Sequence, residues 1–228
     1  MKVKDVISLL EELSTLAYSE DFDNTGLLVG DANATVSGVL VTLDTLESVV
    51  DEAIEKKCNL IVSFHPIIFS GLKKITGKTY VERVVQKAIK NDIAIFSNHT
   101  ALDNSFNGVN AMICEKLGLK NRKVLIPRNE TIKKLITFVP TKDAEKVRNF
   151  EEESQIGVTF AKHLQHKILN ALFESHPYEE VAYEITTLEN PNQHLGMGMI
   201  GELETAMEET EFLHFLKKTM KTDCARHS

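Results

Sequence analysis

The sequence is poor in three features that point to particular classes of protein: paired cysteines, basic charge and long apolar runs. It has only 3 cysteines in 228 residues, and none lies in a Cys-x-x-Cys pair, so neither a zinc knuckle nor a disulfide framework is indicated. Its 26 basic residues are outnumbered by 33 acidic ones. This acidic balance disfavours nucleic acid as the main partner, because binding to a phosphate backbone needs a basic face.

No apolar run approaches the length of a membrane-spanning helix, which is about 18 residues or more. The N-terminal segment "MKVKDVISLLEELSTLAY" places acidic residues among apolar ones at helical spacing, which is unlike a signal peptide. Together with scattered cysteines that suit a reducing compartment, these absences predict a cytoplasmic protein without a membrane partner. The length of the chain predicts one domain with an insertion or two small domains.

The first half of the chain alternates strand-like apolar runs with amphipathic helical segments. Asp44 and Glu47 predict a capping box for one of these helices. Alternation of this kind indicates βαβ units and an α/β fold class, with a parallel-rich sheet covered by helices on both faces. The predicted strands are "VSGVLVTLD", "NLIVSF" and "IAIF", and the helices that follow them are "TLESVVDEAIEKK", "TYVERVVQKAIKND" and "GVNAMICEKLGL".

The sequence changes character after about Leu119. The polar segment "KNRKVLIPRNETIKK" predicts a linker or crossing segment, and "NPNQHLGMGMIGEL" predicts a boundary before a last helix. Between them, strands are predicted in "KLITFVP", "QIGVTFA" and "VAYEITTL", and helices in "TKDAEKVRN" and "KHLQHKILNALFES". This order resembles a ferredoxin-like α+β unit. We therefore predict an α/β lobe over 1–127, a ferredoxin-like insert over 128–190 and a return to the α/β core over 191–228.

Histidines directly follow two of the predicted strands. His65 comes after "NLIVSF", and His99 and Asp103 lie in "SNHTALDN", just after "IAIF". Ligands collect beyond the carboxyl ends of parallel strands, and imidazole with carboxylate suits zinc, iron or manganese. Alternatively, residues 99–103 form an ordinary loop in which Asp103 caps the next helix. The second histidine at an equivalent strand end favours a metal site of His65, His99 and Asp103.

Other motifs receive simpler interpretations. His163 and His166 lie at the start of an amphipathic helix and are predicted to face solvent, and residues 176–180 are interpreted as a helix stop. Residues 196–201 match the pattern GxGxxG, but no strand is predicted before them and no helix after them, so a dinucleotide site is not indicated. The segment "DNTGLLVG", residues 23–30, is interpreted as a polar turn that enters a strand.

Four of these segments, taken together, resemble the successive signatures of a known family. The family comprises the dinuclear-metal proteins called GTP cyclohydrolase 1 type 2 homologues, or Nif-three-like proteins. The resemblance implies a three-layer α/β/α fold, an insert similar to the CutA or PII-like fold, and a ring-shaped hexamer, a trimer of dimers, with metal sites facing an inner cavity. The matching segments are "DNTGLLVG", "SFHPIIFSGLKKITG", "SNHTALDN" with "GVN" behind it, and "HLGMGMIGEL".

The same resemblance implies one or two divalent transition metal ions per chain, which would be zinc, iron or manganese. The family's ligands fall on His65, His99 and Asp103, with Asp103 as the bridge between two ions. The family usually has two adjacent histidines where this chain has Phe64 before His65, so an aromatic ring replaces one ligand. Its later histidine and glutamate ligands have no counterpart before "CARHS", and the insert is shorter than usual around residues 148–155.

The resemblance leaves two functional hypotheses. The first is a metal-dependent hydrolase with a nucleotide substrate such as GTP, in which a metal-activated water attacks the purine ring. The second is a non-catalytic metal-binding or scaffold protein that acts through its oligomer, and Phe64 favours it because the ligand set is depleted. Nucleic-acid binding would need a locally basic face. Such a face would include Lys120, Arg122, Lys123 and Arg128.

Overall fold

The structure, a computed structural model, describes residues 1–140 and 153–225. Within these residues the α-helices are α1 (Val3–Leu13), α2 (Glu47–Glu55), α3 (Tyr80–Lys90), α4 (His99–Asn104), α5 (Val109–Lys116), α6 (Gln165–Ser175) and α7 (Glu209–Met220). The strands are β1 (Gly26–Val29), β2 (Val39–Thr42), β3 (Leu60–Ser63), β4 (Ala94–Ser97), β5 (Lys120–Arg128), β6 (Ile132–Pro140), β7 (Glu153–Ala161), β8 (Tyr183–Thr187) and β9 (Asn192–Glu202). None of the described helices is both long and apolar enough to cross a membrane.

The described chain divides into two compact units, residues 1–126 with 194–228 and residues 127–193. The first unit contains a four-stranded sheet in the order β1-β4-β3-β2. Strands β2, β3 and β4 are parallel, and β1 pairs with β4 in the antiparallel direction. The predicted parallel-rich sheet is therefore confirmed, with one antiparallel edge strand.

Alternate residues of the central strands bury opposite faces of this sheet, as the two-residue period of a strand requires. Ile61 and Ile95 are fully buried in a cluster with residues of α2 and α3. Leu60 and Phe96 are fully buried in a second cluster with residues of α1. Each such side chain contributes about 1.5–3 kcal/mol through burial. Helices thus cover both faces, and the predicted α/β/α layering is confirmed.

Two segments predicted as a linker and a boundary contain strands that the sequence analysis did not predict. The first forms β5, which pairs with β9 in the second, and the two compact units divide within these same segments, after Ile126 and after Gln193. Most side chains of β5 are exposed, β9 combines exposed and partly buried ones, and Val124 and Leu195 are buried. Buried and exposed residues do not alternate regularly along either strand, and exposed apolar side chains such as Leu125 and Met197 lie among the polar ones, so the sequence shows no clear strand pattern. Gly198 has a φ of +68°, which explains a glycine inside a strand.

The predicted capping box of α2 is also wrong. The helix begins after Leu46, which makes no side-chain cap hydrogen bond. The carboxylate of Asp44 instead accepts a hydrogen bond from His65. By contrast, Thr79 caps α3, since its hydroxyl accepts a hydrogen bond from the backbone N–H of Glu82 at 3.2 Å.

The second unit contains an antiparallel sheet in the order β7-β6-β8 and the helix α6. Leu135 is 1% exposed at the centre of β6, and Phe160 of β7 is also buried. The strands predicted in "KLITFVP", "QIGVTFA" and "VAYEITTL" are confirmed. The helix predicted in "TKDAEKVRN" lies outside the described residues, so the ferredoxin-like arrangement of the insert stays a prediction.

Candidate functional site

The carboxyl ends of the three parallel strands lie level with one another. Thr42, Ser63 and Ser97, the last residues of β2, β3 and β4, are register partners across the sheet. Asp44, His65 and His99 each lie two residues beyond one of these partners. Equal offsets from a shared register bring a carboxylate and two imidazoles to one edge of the sheet.

Hydroxyl groups at the strand ends fix the turns that carry these side chains. The hydroxyl of Thr42 donates a hydrogen bond to the backbone carbonyl of Asp44 at 2.9 Å, and that of Ser63 donates to the carbonyl of His65 at 2.9 Å. The hydroxyl of Ser97 donates to the carbonyl of Phe64 at 2.7 Å. These hydrogen bonds fix the backbone at Asp44, Phe64 and His65, just beyond the strand ends.

The backbone ladder also continues past the strand ends. The N–H of His65 donates to the carbonyl of Leu43, and the N–H of His99 donates to the carbonyl of Phe64, each at 3.0 Å. His99 is held at a φ of +27°, a conformation that residues other than glycine rarely adopt. Residues held in such conformations concentrate at functional sites.

Each histidine of the site is paired with a carboxylate through Nδ1. In the pair of His65 and Asp44, Nδ1 lies 2.7 Å from Oδ1, and in the pair of His99 and Asp23 the corresponding distance is 2.8 Å. The two imidazole rings are 5.5 Å apart, centre to centre. Because Nδ1 is engaged in both rings, Nε2 is the nitrogen that each ring has left for a ligand.

Asp23 is the most enclosed acid of the site, with a fully buried side chain. Its Oδ2 accepts hydrogen bonds from both the backbone N–H and the hydroxyl of Thr100, and its Oδ1 accepts from His99 and from the N–H of Asn24. Burial raises the pKa of Asp23, but the hydrogen bonds from Thr100, His99 and Asn24 outweigh it and leave the pKa below the ordinary value of 3.8. Asp23 is therefore a carboxylate at neutral pH.

Asp103 lies on the same face of α4 as His99, four residues along the helix. Burial raises the pKa of Asp103 above 3.8, while His99 and His65 act to lower it and Asp23 acts to raise it. All three groups therefore act electrostatically on Asp103. It does not cap the next helix, because Gly108 is the N-cap of α5. The alternative of a plain loop with a capping aspartate is wrong.

Aromatic rings border the two imidazoles. The ring of Phe64 lies 5.0 Å from that of His65 and 5.5 Å from that of His99, both edge-on. Phe69, whose side chain is half exposed, lies 6.4 Å from His99. Phe64 is thus in contact with both candidate ligands, and its carbon-only ring cannot coordinate an ion.

The donor chemistry of the cluster fits a transition metal, although the present spacing does not form a closed ligand set. Among residues 1–140 and 153–225, no group of three or more His, Cys, Asp or Glu side chains is close enough to hold an ion. Two imidazoles with a free Nε2 and a nearby carboxylate are nevertheless a suitable set for zinc, iron or manganese. Two buried polar atoms next to the cluster in sequence, Thr45 Oγ1 and Asn98 Oδ1, have no hydrogen-bond partner among the described residues.

Other histidines have structural surroundings. His176 donates a hydrogen bond through Nε2 to the carbonyl of Phe138 at 2.8 Å and accepts one at Nδ1 from the N–H of Tyr178, so both of its nitrogens are used. His166 lies on α6 beside Asn170. The glycine-rich motif at residues 196–201 lies within β9 and opens no helix.

Sequence reasoning missed two members of the site, Asp44 and Asp23. Asp44 was assigned to a helix cap, although it follows its strand at the same offset as His65 and His99. That equal offset is the signal that could have identified it. Asp23 opens "DNTGLLVG", one of the four segments that resemble the family, but its pairing with His99 could not be predicted from spacing, because the two residues are 76 positions apart in the chain.

The fold and the cluster together define an α/β protein with a histidine and carboxylate site at the carboxyl edge of a parallel-rich sheet. The chain belongs to the Duf34/NIF3 (NGG1p interacting factor 3) family, whose sequence profile matches residues 1–228. A relative from Bacillus subtilis (strain 168), named GTP cyclohydrolase 1 type 2 homolog, is 33% identical over 267 positions, which cover 98% of this chain and 72% of the relative. A relative of the same name from Clostridium acetobutylicum is 40% identical over 133 positions, which cover 58% of this chain and 50% of the relative.

Solved structures agree with this assignment. A Bacillus cereus protein related to NIF3 superposes with a TM-score of 0.81 at 33% identity, covering 99% of this chain and 72% of that one. The Staphylococcus aureus protein SA1388 also gives a TM-score of 0.81, at 27% identity, covering 99% of this chain and 70% of that one. The family resemblance inferred from the four motifs is therefore confirmed.

Proposed function

We propose that the cluster binds a divalent transition metal ion through Nε2 of His65, Nε2 of His99 and the carboxylate of Asp103. One observation carries this proposal: both histidines engage Nδ1 with a carboxylate. Metal-ligating histidines commonly have this arrangement, because the carboxylate fixes the ring and makes the free nitrogen more basic. The three side chains would draw together on binding.

We propose further that the protein is a metal-dependent hydrolase with a nucleotide substrate. The relatives' name, GTP cyclohydrolase 1 type 2 homolog, supports this class and makes GTP the first substrate to test. A bound ion would supply a water of lowered pKa and polarise the substrate. The chain's own contribution is to orient His99 through Asp23, to place His65 beside Asp44 and to border both rings with Phe64.

A non-catalytic metal-binding or scaffold role is the second candidate, and Phe64 favours it. This ring contacts both His65 and His99 and offers no ligand atom. A site with fewer ligands holds one ion more readily than the pair of ions that bridged-water chemistry uses. On this hypothesis the ion would serve assembly or stability, and substrate turnover would be absent.

The first experiment is the metal content of the purified chain, measured by plasma mass spectrometry on wild type, Asp103→Ala and Glu115→Ala. Glu115 is an exposed acid on the neighbouring helix α5 and serves as the matched control. We expect near-stoichiometric zinc, iron or manganese that falls sharply in Asp103→Ala alone. Absence of bound metal after reconstitution, or an equal fall in Glu115→Ala, would contradict the metal site.

A second experiment separates the two candidate roles. The metal-loaded protein is incubated with GTP and other nucleotides, and ring opening or phosphate release is followed by chromatography. Metal-dependent turnover that is lost in His99→Ala supports the hydrolase. Stable metal binding without any turnover removes the hydrolase and leaves the scaffold role.

A further inference from the structure

We infer that Asp23 is the positioning residue of the site: it holds His99 as the Nδ1–H tautomer, with Nε2 free, before any ligand arrives. Asp44 does not hold His65 in a comparable way. The two histidines are therefore unequal, with His99 as a preorganised anchor and His65 as an adaptable second donor. The part of this inference that concerns metal affinity rests on the function proposed above, whereas the part that concerns the tautomer does not.

The hydrogen bonds of Asp23 leave its carboxylate one orientation. Oδ1 accepts from His99 and from the N–H of Asn24, and Oδ2 accepts from the N–H and the hydroxyl of Thr100. A carboxylate only accepts hydrogen bonds, so the Nδ1 atom of His99 must carry the proton. With the Asp23 side chain fully buried and that of His99 19% exposed, water has little opportunity to replace this bond.

Thr100 ties this arrangement to the turn before β1. The N–H of Glu20 donates to the hydroxyl of Thr100 at 3.0 Å, and the amide group of Asn104 donates to the carbonyl of Tyr18 and to the carboxylate of Glu20. The segment before β1, which includes Tyr18, Glu20 and Asp23, is thus joined to α4 at several points. These contacts explain how the carboxylate of Asp23, 76 residues from His99 in the chain, reaches the His99 ring.

The pair of His65 and Asp44 lacks this support. Their side chains are 47% and 52% exposed, and the only side-chain contact found for the Asp44 carboxylate among the described residues is His65 Nδ1. Exposed ion pairs are weak, because water competes for both partners and both side chains lose freedom. The His65 ring is therefore free to exchange tautomers and to reorient.

The tautomer is tested first on the metal-free wild-type protein, so that no variant needs to fold. Histidine side-chain nitrogen shifts are recorded by NMR at about pH 9, well above the ordinary imidazole pKa of about 6.5. We expect His99 to be the Nδ1–H form almost entirely and His65 to be a mixture. A predominant Nε2–H form of His99, or equal tautomer mixtures in both rings, would overturn the inference.

Matched variants then test the asymmetry. Asp23→Asn and Asp44→Asn make the same chemical change in the two pairs, and zinc affinity is measured by calorimetry alongside the NMR spectra. An asparagine amide can donate to Nδ1 and so permits the other tautomer. We expect Asp23→Asn to shift His99 towards Nε2–H and to weaken zinc binding about 10–100-fold, and Asp44→Asn to weaken it about fivefold or less.

The outcomes distinguish this inference from the proposed function. Equal losses in the two variants, or a larger loss in Asp44→Asn, would overturn the asymmetry even if zinc binds. If the wild type binds no zinc, the metal proposal fails, and the fixed tautomer of His99 is still supported or overturned by the NMR spectra. Thr100→Val, which keeps the contact between Asp23 and His99, is expected to retain the wild-type tautomer.

Discussion

At the scale of single residues, His99 combines a side chain of the candidate site with an unfavourable backbone conformation. Its φ of +27° lies in the region that glycine adopts freely and that costs other residues about 1–2 kcal/mol. The hydrogen bonds of His99 to Phe64 and Asp23 hold it there. The contacts of the candidate site therefore hold a conformation that costs the fold some stability.

This strain predicts an unusual order of stability. His99→Gly and His99→Ala both remove the ring, but only alanine keeps the backbone penalty. We expect His99→Gly to be more stable than His99→Ala by up to about 1 kcal/mol, since glycine's extra loss of entropy on folding offsets part of its gain. Urea unfolding followed by circular dichroism measures the difference. An alanine variant as stable as the glycine variant would show that the backbone is relaxed.

At the scale of elements, Glu82 fastens the loop between β3 and α3. Its carboxylate accepts hydrogen bonds from the backbone N–H groups of Thr76 and Lys78 and from the hydroxyls of Thr76 and Thr79. The backbone N–H of Thr76 is the largest of the influences that lower the pKa of Glu82 from 4.5 to about 2. The loop that carries Phe69 to the site is therefore held by an ionised acid.

The lowered pKa of Glu82 predicts a pH-dependent contribution to stability. Because the folded pKa is below the unfolded one, this contribution is fully present above about pH 4.5 and is lost as the pH falls towards about 2. We expect Glu82→Gln to be less stable than wild type at pH 7 and the difference to shrink across this range. Urea unfolding at several pH values tests this, with Glu115→Gln as the control. A difference that does not vary with pH would contradict the role of the charge.

The elements also show what sequence reasoning reached and what it did not. Strands β3 and β4 were predictable because burial on both faces leaves a short apolar run. Strands β5 and β9 were not, because they are far apart in the chain and because buried and exposed residues do not alternate regularly along them. The histidines of the site were found because they follow apolar runs directly, whereas Asp23 is joined to the site only by tertiary contact.

At the scale of the whole molecule, large apolar side chains remain exposed on and just beyond the edge strand β2. Val41 is 78% exposed and Leu43 is 60% exposed. Contiguous exposed apolar surface often marks a protein interface. This observation supports an interface at β2, and the hexamer implied by the family resemblance stays a proposal.

We therefore predict that the protein assembles in solution. Light scattering coupled to gel filtration is expected to give a mass about six times that of the 25.6 kDa chain. Val41→Lys is expected to lower the mass, because a buried and unpaired charge opposes association, and Glu115→Lys serves as the surface control. A monomer mass for the wild type at micromolar concentration would exclude the hexamer.

The alignment with the Bacillus subtilis relative has 267 positions, more than the 228 residues of this chain. That relative therefore has residues inside the matched span without a counterpart here. The site residues Asp44, His65 and His99 lie in the four-stranded sheet of the first unit or directly beyond its strand ends.

The equal offset of Asp44, His65 and His99 from their strand ends has an evolutionary consequence. The backbone pairing of the strands fixes the positions of these three residues. A substitution at one of them therefore changes the chemical groups at the sheet edge and leaves the interior packing unchanged. If the sheet edge binds an ion as proposed, descendants of one ancestral sheet can change their preferred ion, or abandon it, in single steps. The architecture can outlast the chemistry that it first supported.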